Sequence, residues 1–167
     1  MTVEDIISRL EHNKAIFESL LSHVSKDQIS WRPQPEKWSL LEIVCHIYDE
    51  EREDFRARVK NTLSQTKIVP IDPEDWVTSR RYSEHDYDEK LQAFLQEREQ
   101  SVTWLRQLEN PDWERYHDHN TFGRMTARLF LVNWLAHDYL HIRQINRYHY
   151  LYLQHNTQIS LQYAGRW

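Results

Sequence analysis

The chain has 167 residues, 40% hydrophobic and 13% aromatic, with a net charge of −5 and an isoelectric point near 6.0. That length supports one well-formed core, and the acidic balance carries no electrostatic footprint for nucleic acid. A single cysteine, Cys45, excludes an internal disulfide framework, and no apolar run approaches the roughly 18 residues of a membrane span.

Two glycines, five prolines and 28% charged residues favour helices over a turn-rich sheet. The mean hydropathy of −0.83 is low, yet the aromatic content and the helical periodicity argue against disorder. The first residues are amphipathic, with Glu4, Asp5, Arg9, Glu11 and Lys14 interspersed, and do not read as a signal peptide. The expectation is one cytoplasmic domain over residues 1–167 with no membrane partner.

In chain order, Thr2 is placed to cap a first helix, Val3 to Val24, with Asp5 three residues on. Ile6, Leu10, Phe17, Leu20, Leu21 and Val24 form its apolar stripe, and His12 and His23 read as surface or structural histidines. Ser30 to Trp38 contains Pro33 and Pro35 and cannot be regular helix throughout; it reads as an extended crossover anchored by Trp31 and Trp38. Ser39-Leu40-Leu41-Glu42 is a capping box that opens a second helix, Leu40 to about Thr62. Its apolar arc holds Leu41, Val44, Ile47, Tyr48, Phe55 and Val59, while His46 falls toward the charged side with Glu42, Asp49, Glu50 and Glu53. Periodicity alone leaves His46 open between exposed decoration and a ligand at the rim of the bundle.

Gln65 to Asp86 is a long connection, either a lid or an ordered flap, and Trp76 favours the flap. The basic clusters Arg56, Arg58, Lys60 and Arg80-Arg81 read as solvated faces. A third helix runs from about Tyr87 to Gln107, burying Leu91, Phe94, Leu95, Val102 and Leu105. Trp113 to Gly123 reads as a polar connection whose His117 and His119 are a weak metal-binding pattern.

Thr121 to Thr126 is expected to begin the fourth helix, and no Gly or Pro interrupts Thr126 to Gln154, about 28 residues or roughly 42 Å. His137 and His141 lie one turn apart on the face that also carries Phe130, Trp134 and Tyr148. At that spacing two imidazoles can share one metal ion; the alternative is a pair of histidines hydrogen-bonded in the core. The aromatic tail after Gln154 reads as docking onto the body of the protein or onto a neighbour. Four amphipathic helices with long crossovers make an all-α four-helix bundle the economical fold.

Two segments together resemble the DinB-like (DinB/YfiT) family: Pro35-Glu36-Lys37-Trp38-Ser39 through His46, and Trp134-Leu135-Ala136-His137-Asp138-Tyr139-Leu140-His141 with the Arg143-Gln144-Ile145 that follows. The resemblance implies a four-helix bundle with a divalent metal held by three histidines from two helices, mapping here to His46, His137 and His141. It also implies chemistry on a small-molecule substrate with a low-molecular-weight thiol, since relatives include thiol-dependent transferases, and a homodimer.

Three imidazoles and an open position are the arrangement of a catalytic site, in which a bound water is acidified or a thiol is held as thiolate. Zinc or nickel is the first expectation, although iron and copper also accept imidazole. Glu50, one turn beyond His46, reads as a fourth ligand, a partner to the ligands, a general base or a solvated carboxylate. Asp49 and Asp138 are weaker versions of the same idea, and Cys45 reads as a buried structural thiol. Three functions follow: a metal-dependent transferase using a small thiol, a metal-dependent hydrolase, and a non-catalytic stress-associated binding module.

Overall fold

The computed structural model describes residues 1–165. Helix α1 (Val3–Leu21) opens on a capping box in which the Asp5 amide donates to Thr2 Oγ1 and the Thr2 amide donates to the Asp5 carboxylate. It stops three residues short of Val24; Ser22 leaves the helical conformation, His23 takes φ +59°, and a short helix α2 (Lys26–Ser30) follows. The proline-bearing stretch then runs outside regular helix to Ser39. There the Ser39–Glu42 capping box opens α3 (Leu40–Asp49), as expected. A π-helical turn, Glu50–Phe55, joins α3 without a break to α4 (Arg56–Ser64).

The long connection contains a helix of its own, α5 (Pro73–Ser79), capped by Asp72 with Pro73 in the first turn. Trp76 is buried there, so the segment is an ordered flap. Arg80 is no solvated face: it pairs with Asp49 and Glu53 and covers the Trp76 ring at 4.0 Å. Helix α6 (Tyr87–Arg106) is capped by Asp86 and buries the five predicted apolar residues.

The connection after it corrects the expectation of a polar loop. Strands β1 (Tyr116–His119) and β2 (Gly123–Thr126) form an antiparallel hairpin, with Tyr116 opposite Thr126 and His119 opposite Gly123. Gly123 takes φ +67°, a conformation open to glycine without strain, at the end of the turn. Residues 121–126 are therefore turn and strand, and helix α7 (Ala127–Thr157) starts only where Thr126 caps it. It then runs three residues past Gln154, about 46 Å in all. In the tail Tyr163 is fully exposed and does not dock on the body, while Trp167 lies outside the described residues.

Helices α1 and α6 pack together, α3 packs on α6, and α7 packs on both α1 and α4. The first two long helices thus face each other across a diagonal of the bundle, as do α6 and α7. Among the described residues no helix is long and apolar enough to cross a membrane.

The apolar core is in two parts. One gathers Phe17, Leu40, Ile43, Val44, Phe94 and Ile145. The other gathers Ile6, Leu10, Val59, Val102, Leu131 and Trp134. Between them every long helix contributes a polar residue to one layer: Asn13, Glu50 and Glu51, Arg98, and His137 and Asp138. Arg98 is 2% exposed and donates to both oxygens of Glu51 and both of Asp138, at 2.6–2.9 Å. The Asn13 amide donates to Asp138 and the Trp134 indole to Glu51, so the two carboxylates that share Arg98 each gain a further hydrogen bond from a neutral donor.

Candidate metal centre

Helices α3 and α7 bring His46, His137 and His141 together, each offering a donor atom within 4.8 Å of the others. Against the periodicity reading, His46 is buried, and so are Glu42, Asp49 and Glu50 on its flank. The physical reason is that α3 is covered on every side and its acids have partners. Arg32 pairs with Glu42, Arg80 and the Tyr82 hydroxyl with Asp49, and His137 with Glu50. A charged stripe marks solvent only when no cation is folded against it.

The Nε2 atoms of His137 and His141 lie 3.0 Å apart. Two nitrogens at zinc-bonding distance of about 2.0–2.1 Å from one tetrahedral ion lie roughly 3.3 Å apart, so the pair needs little movement to share an ion. His141 Nδ1 is 2.7 Å from Gln144 Oε1. Because that oxygen only accepts, Nδ1 carries the hydrogen and Nε2 keeps its lone pair for a ligand. His46 sits under Trp38, ring centroids 4.7 Å apart; its Nδ1 is buried without a hydrogen-bond partner, and its Nε2 is 3.5 Å from Glu50, beyond normal hydrogen-bond length. A bound cation would relieve this arrangement, and the donor set fits one.

Glu50 completes the cluster, with Oε2 2.7 Å from His137 Nε2. It is not a solvated carboxylate. Glu50 and Glu51 open the π turn and, as neighbours on any helix do, point to different sides and serve different partners. Within it residues five apart approach one another, so Phe55 comes round to Glu50's side and meets the His137 ring at 4.9 Å.

Burial pulls the His46 pKa down to about 4, with His137 adding to the pull and Glu50 opposing it. Burial, then the neighbouring His137 and His46, holds His141 well below the usual range. For Glu50, burial acts to raise the pKa. The hydrogen bond from His137, with the charges of His137, His46 and Arg58, outweighs it and keeps the carboxyl below its usual value. Near neutral pH the cluster therefore presents two neutral buried imidazoles and an ionised carboxylate, a donor set suited to a divalent transition metal.

The other candidates fall away from the cluster. Asp49 is held by Arg80 and Tyr82, and Asp138 by Arg98 and Asn13. His117 reaches toward the Asn61 carbonyl and His119 accepts from the Thr121 and Phe122 amides; among the described residues neither joins a metal-ligating group. Cys45 is buried, as expected, and burial pushes its thiol up to about 12. Asn13, Glu51 and Arg98, which support the centre from behind, went unread in the sequence. Their signal is a gap in an apolar stripe: Asn13 between Leu10 and Phe17, and Arg98 between Leu95 and Val102.

Two clefts flank the centre. One of about 510 Å³ passes behind it, touching Trp38 and Gln144 but none of the three imidazoles. The other, about 620 Å³, has His137 in its wall.

A helical bundle with three histidines and a carboxylate gathered between its second and fourth long helices defines a class, and the sequence agrees: residues 9–145 match the DinB superfamily, to which the chain belongs. Among solved structures it is similar to YfiT from Bacillus subtilis, described as a probable metal-dependent hydrolase with an unusual four-helix bundle topology. The identity is 19%, over 95% of this chain and 89% of that one, with a TM-score of 0.77. No match was found among curated proteins.

Proposed function

We propose that the chain binds one divalent metal ion, zinc or nickel, through His46, His137 and His141 and is a metal-dependent hydrolase of small molecules. The observation that carries this reading is the Glu50 carboxylate, buried, ionised and 2.7 Å from His137 Nε2. A metal ion there supplies Lewis acidity to whatever nucleophile and electrophile it brings together. Glu50 lies where it can take the nucleophile's proton once His137 Nε2 has given up its hydrogen to bind the ion. Gln144 holds His141 in one tautomer, Trp38 packs on the His46 ring and Phe55 on the His137 ring, and His137 stays open to the cleft. Water needs such a base more than a thiol does, because a metal holds a thiol as thiolate without help. The description of YfiT as a probable metal-dependent hydrolase points the same way.

The second reading, a transferase using a low-molecular-weight thiol, rests on the family resemblance of the two histidine segments. A non-catalytic binding module is the third. The test begins with elemental analysis of untagged wild type, His46→Ala and His137→Ala. About one ion per chain, lost in both variants, supports the site. Metal kept in His46→Ala removes that residue from it. Loaded protein is then offered activated esters and amides without thiol, and electrophiles with cysteine or a related thiol. Metal-dependent turnover without thiol supports hydrolysis; turnover only with thiol overturns it in favour of transfer; neither leaves the binding module.

A further inference from the structure

The cleft that reaches His137 has a distinct chemistry of its own. It is lined by Phe55 of the π turn, by Leu129, Phe130 and Leu140 of α7, and by Phe122 and Met125 of the hairpin. Phe122 and Leu140 stand at 72% and 53% exposure at its edge, two large apolar side chains with little covering them. Its volume of about 620 Å³ lies within the range of small-molecule sites.

The charged groups in the cleft cancel. Arg58 is bonded to Asp54 and lies over the Phe130 ring, so neither ion is left to attract a charged ligand. The remaining polar atoms favour hydrogen bonding to a neutral group. One N–H of the Asn133 amide donates to the Leu129 carbonyl, which leaves the second to donate and the oxygen to accept. His119 Nδ1 accepts two backbone amides, so its Nε2 carries the hydrogen and donates.

We propose that this cleft binds the tail of a neutral small molecule with an apolar chain or ring, its polar reacting group lying against His137 and Glu50, and that the hairpin residues Phe122 and Met125 select the length of that tail. The orientation of the reacting group rests on the metal-dependent reading above; the binding of the tail does not.

The test titrates N-methylalkanamides of about three to eight carbons, and alkanoates of equal length, into metal-stripped and metal-loaded protein, with binding followed by NMR. The affinity of the amides rises about two- to fourfold per methylene, the increment of partial to full burial of one CH2. In stripped protein, where Glu50 repels a second carboxylate, each amide binds several-fold more tightly than the matching alkanoate. Phe122→Ser, at an exposed position, flattens the length dependence and leaves thermal melting unchanged. Three results overturn the proposal: no dependence on length; a dependence untouched by both Phe122→Ser and Leu140→Ser; or a concentration-dependent dimer that Phe122→Ser abolishes, which would make the cleft a seat for a second copy of the chain. A protein that holds no metal but keeps the gradient when stripped would sink the hydrolase reading and leave this one standing.

Discussion

Glu51 and Asp138 share the guanidinium of Arg98, and each is the next residue along the chain from a member of the histidine–carboxylate cluster, Glu50 and His137. The two helices that build the centre are therefore tied twice at the same level, once through the Glu50–His137 contact and once through Arg98. Burial alone acts against the guanidinium's charge, and Asp138 and Glu51 more than reverse that effect.

Arg98→Met removes one partner and leaves two buried carboxylates unmatched, an expected loss of about 3–5 kcal/mol in urea denaturation. Arg98→Lys loses less, since an ammonium keeps the charge but cannot fork to both carboxylates. Replacing Arg98, Glu51 and Asp138 together by apolar residues of similar volume recovers most of the loss. If the single variant were as stable as wild type, the network would contribute nothing to holding the layer.

The metal-free protein loses stability as it is acidified. The His46 imidazole titrates near 6.5 in the unfolded chain and near 4 in the fold. Its contribution is complete above about pH 6.5 and lost as the pH falls toward 4, because only the unfolded chain takes up the proton. The 2.5-unit difference is on the order of 3 kcal/mol, and His141 acts in the same direction. Urea midpoints of stripped protein between pH 7 and 4 check this, with His46→Gln expected to show a shallower slope. Stability rising on acidification would mean that the native cluster is protonated.

Cys45 is expected to be inert. A thiol pushed up to about 12 by burial presents almost no thiolate at pH 8, so iodoacetamide labels it only after unfolding. Labelling at the rate of a free thiol in native protein would contradict the packing of α3 against the flap.

Glu50→Gln separates binding from chemistry. The amide keeps the shape but cannot accept the nucleophile's proton, so metal content stays near that of wild type while kcat falls about 10²- to 10⁴-fold. A loss of metal in this variant would make Glu50 a ligand before anything else.

Much of this molecule is legible in its sequence. The capping boxes at Thr2 and Ser39, the stripe of α6 and the His137–His141 spacing are local patterns, and local patterns survive in one dimension. The resemblance supplied His46, which periodicity had left open. What periodicity misread is α3. Its acids Glu42 and Asp49 look solvated because their cations, Arg32 and Arg80, come from other elements, and the sequence does not show the pairing. The hairpin was missed because Tyr116–His119 and Gly123–Thr126 alternate polar residues on a mostly exposed ribbon, with no apolar face to mark a strand. The π turn has no signature in these residues that periodicity can register.

The polar layer has a further consequence, for the order of events in folding. Asn13 meets Asp138 across 125 residues of chain, Trp134 meets Glu51 across 83, and Arg98 meets Leu10 across 88. Contacts of such span form only after long loops have closed, so the helices arise early and the layer locks late. Before that step His46 and the pair on α7 belong to separate pieces of chain. A nascent or truncated polypeptide lacking α7 cannot assemble the three-histidine cluster, so an ion bound there would report the finished molecule.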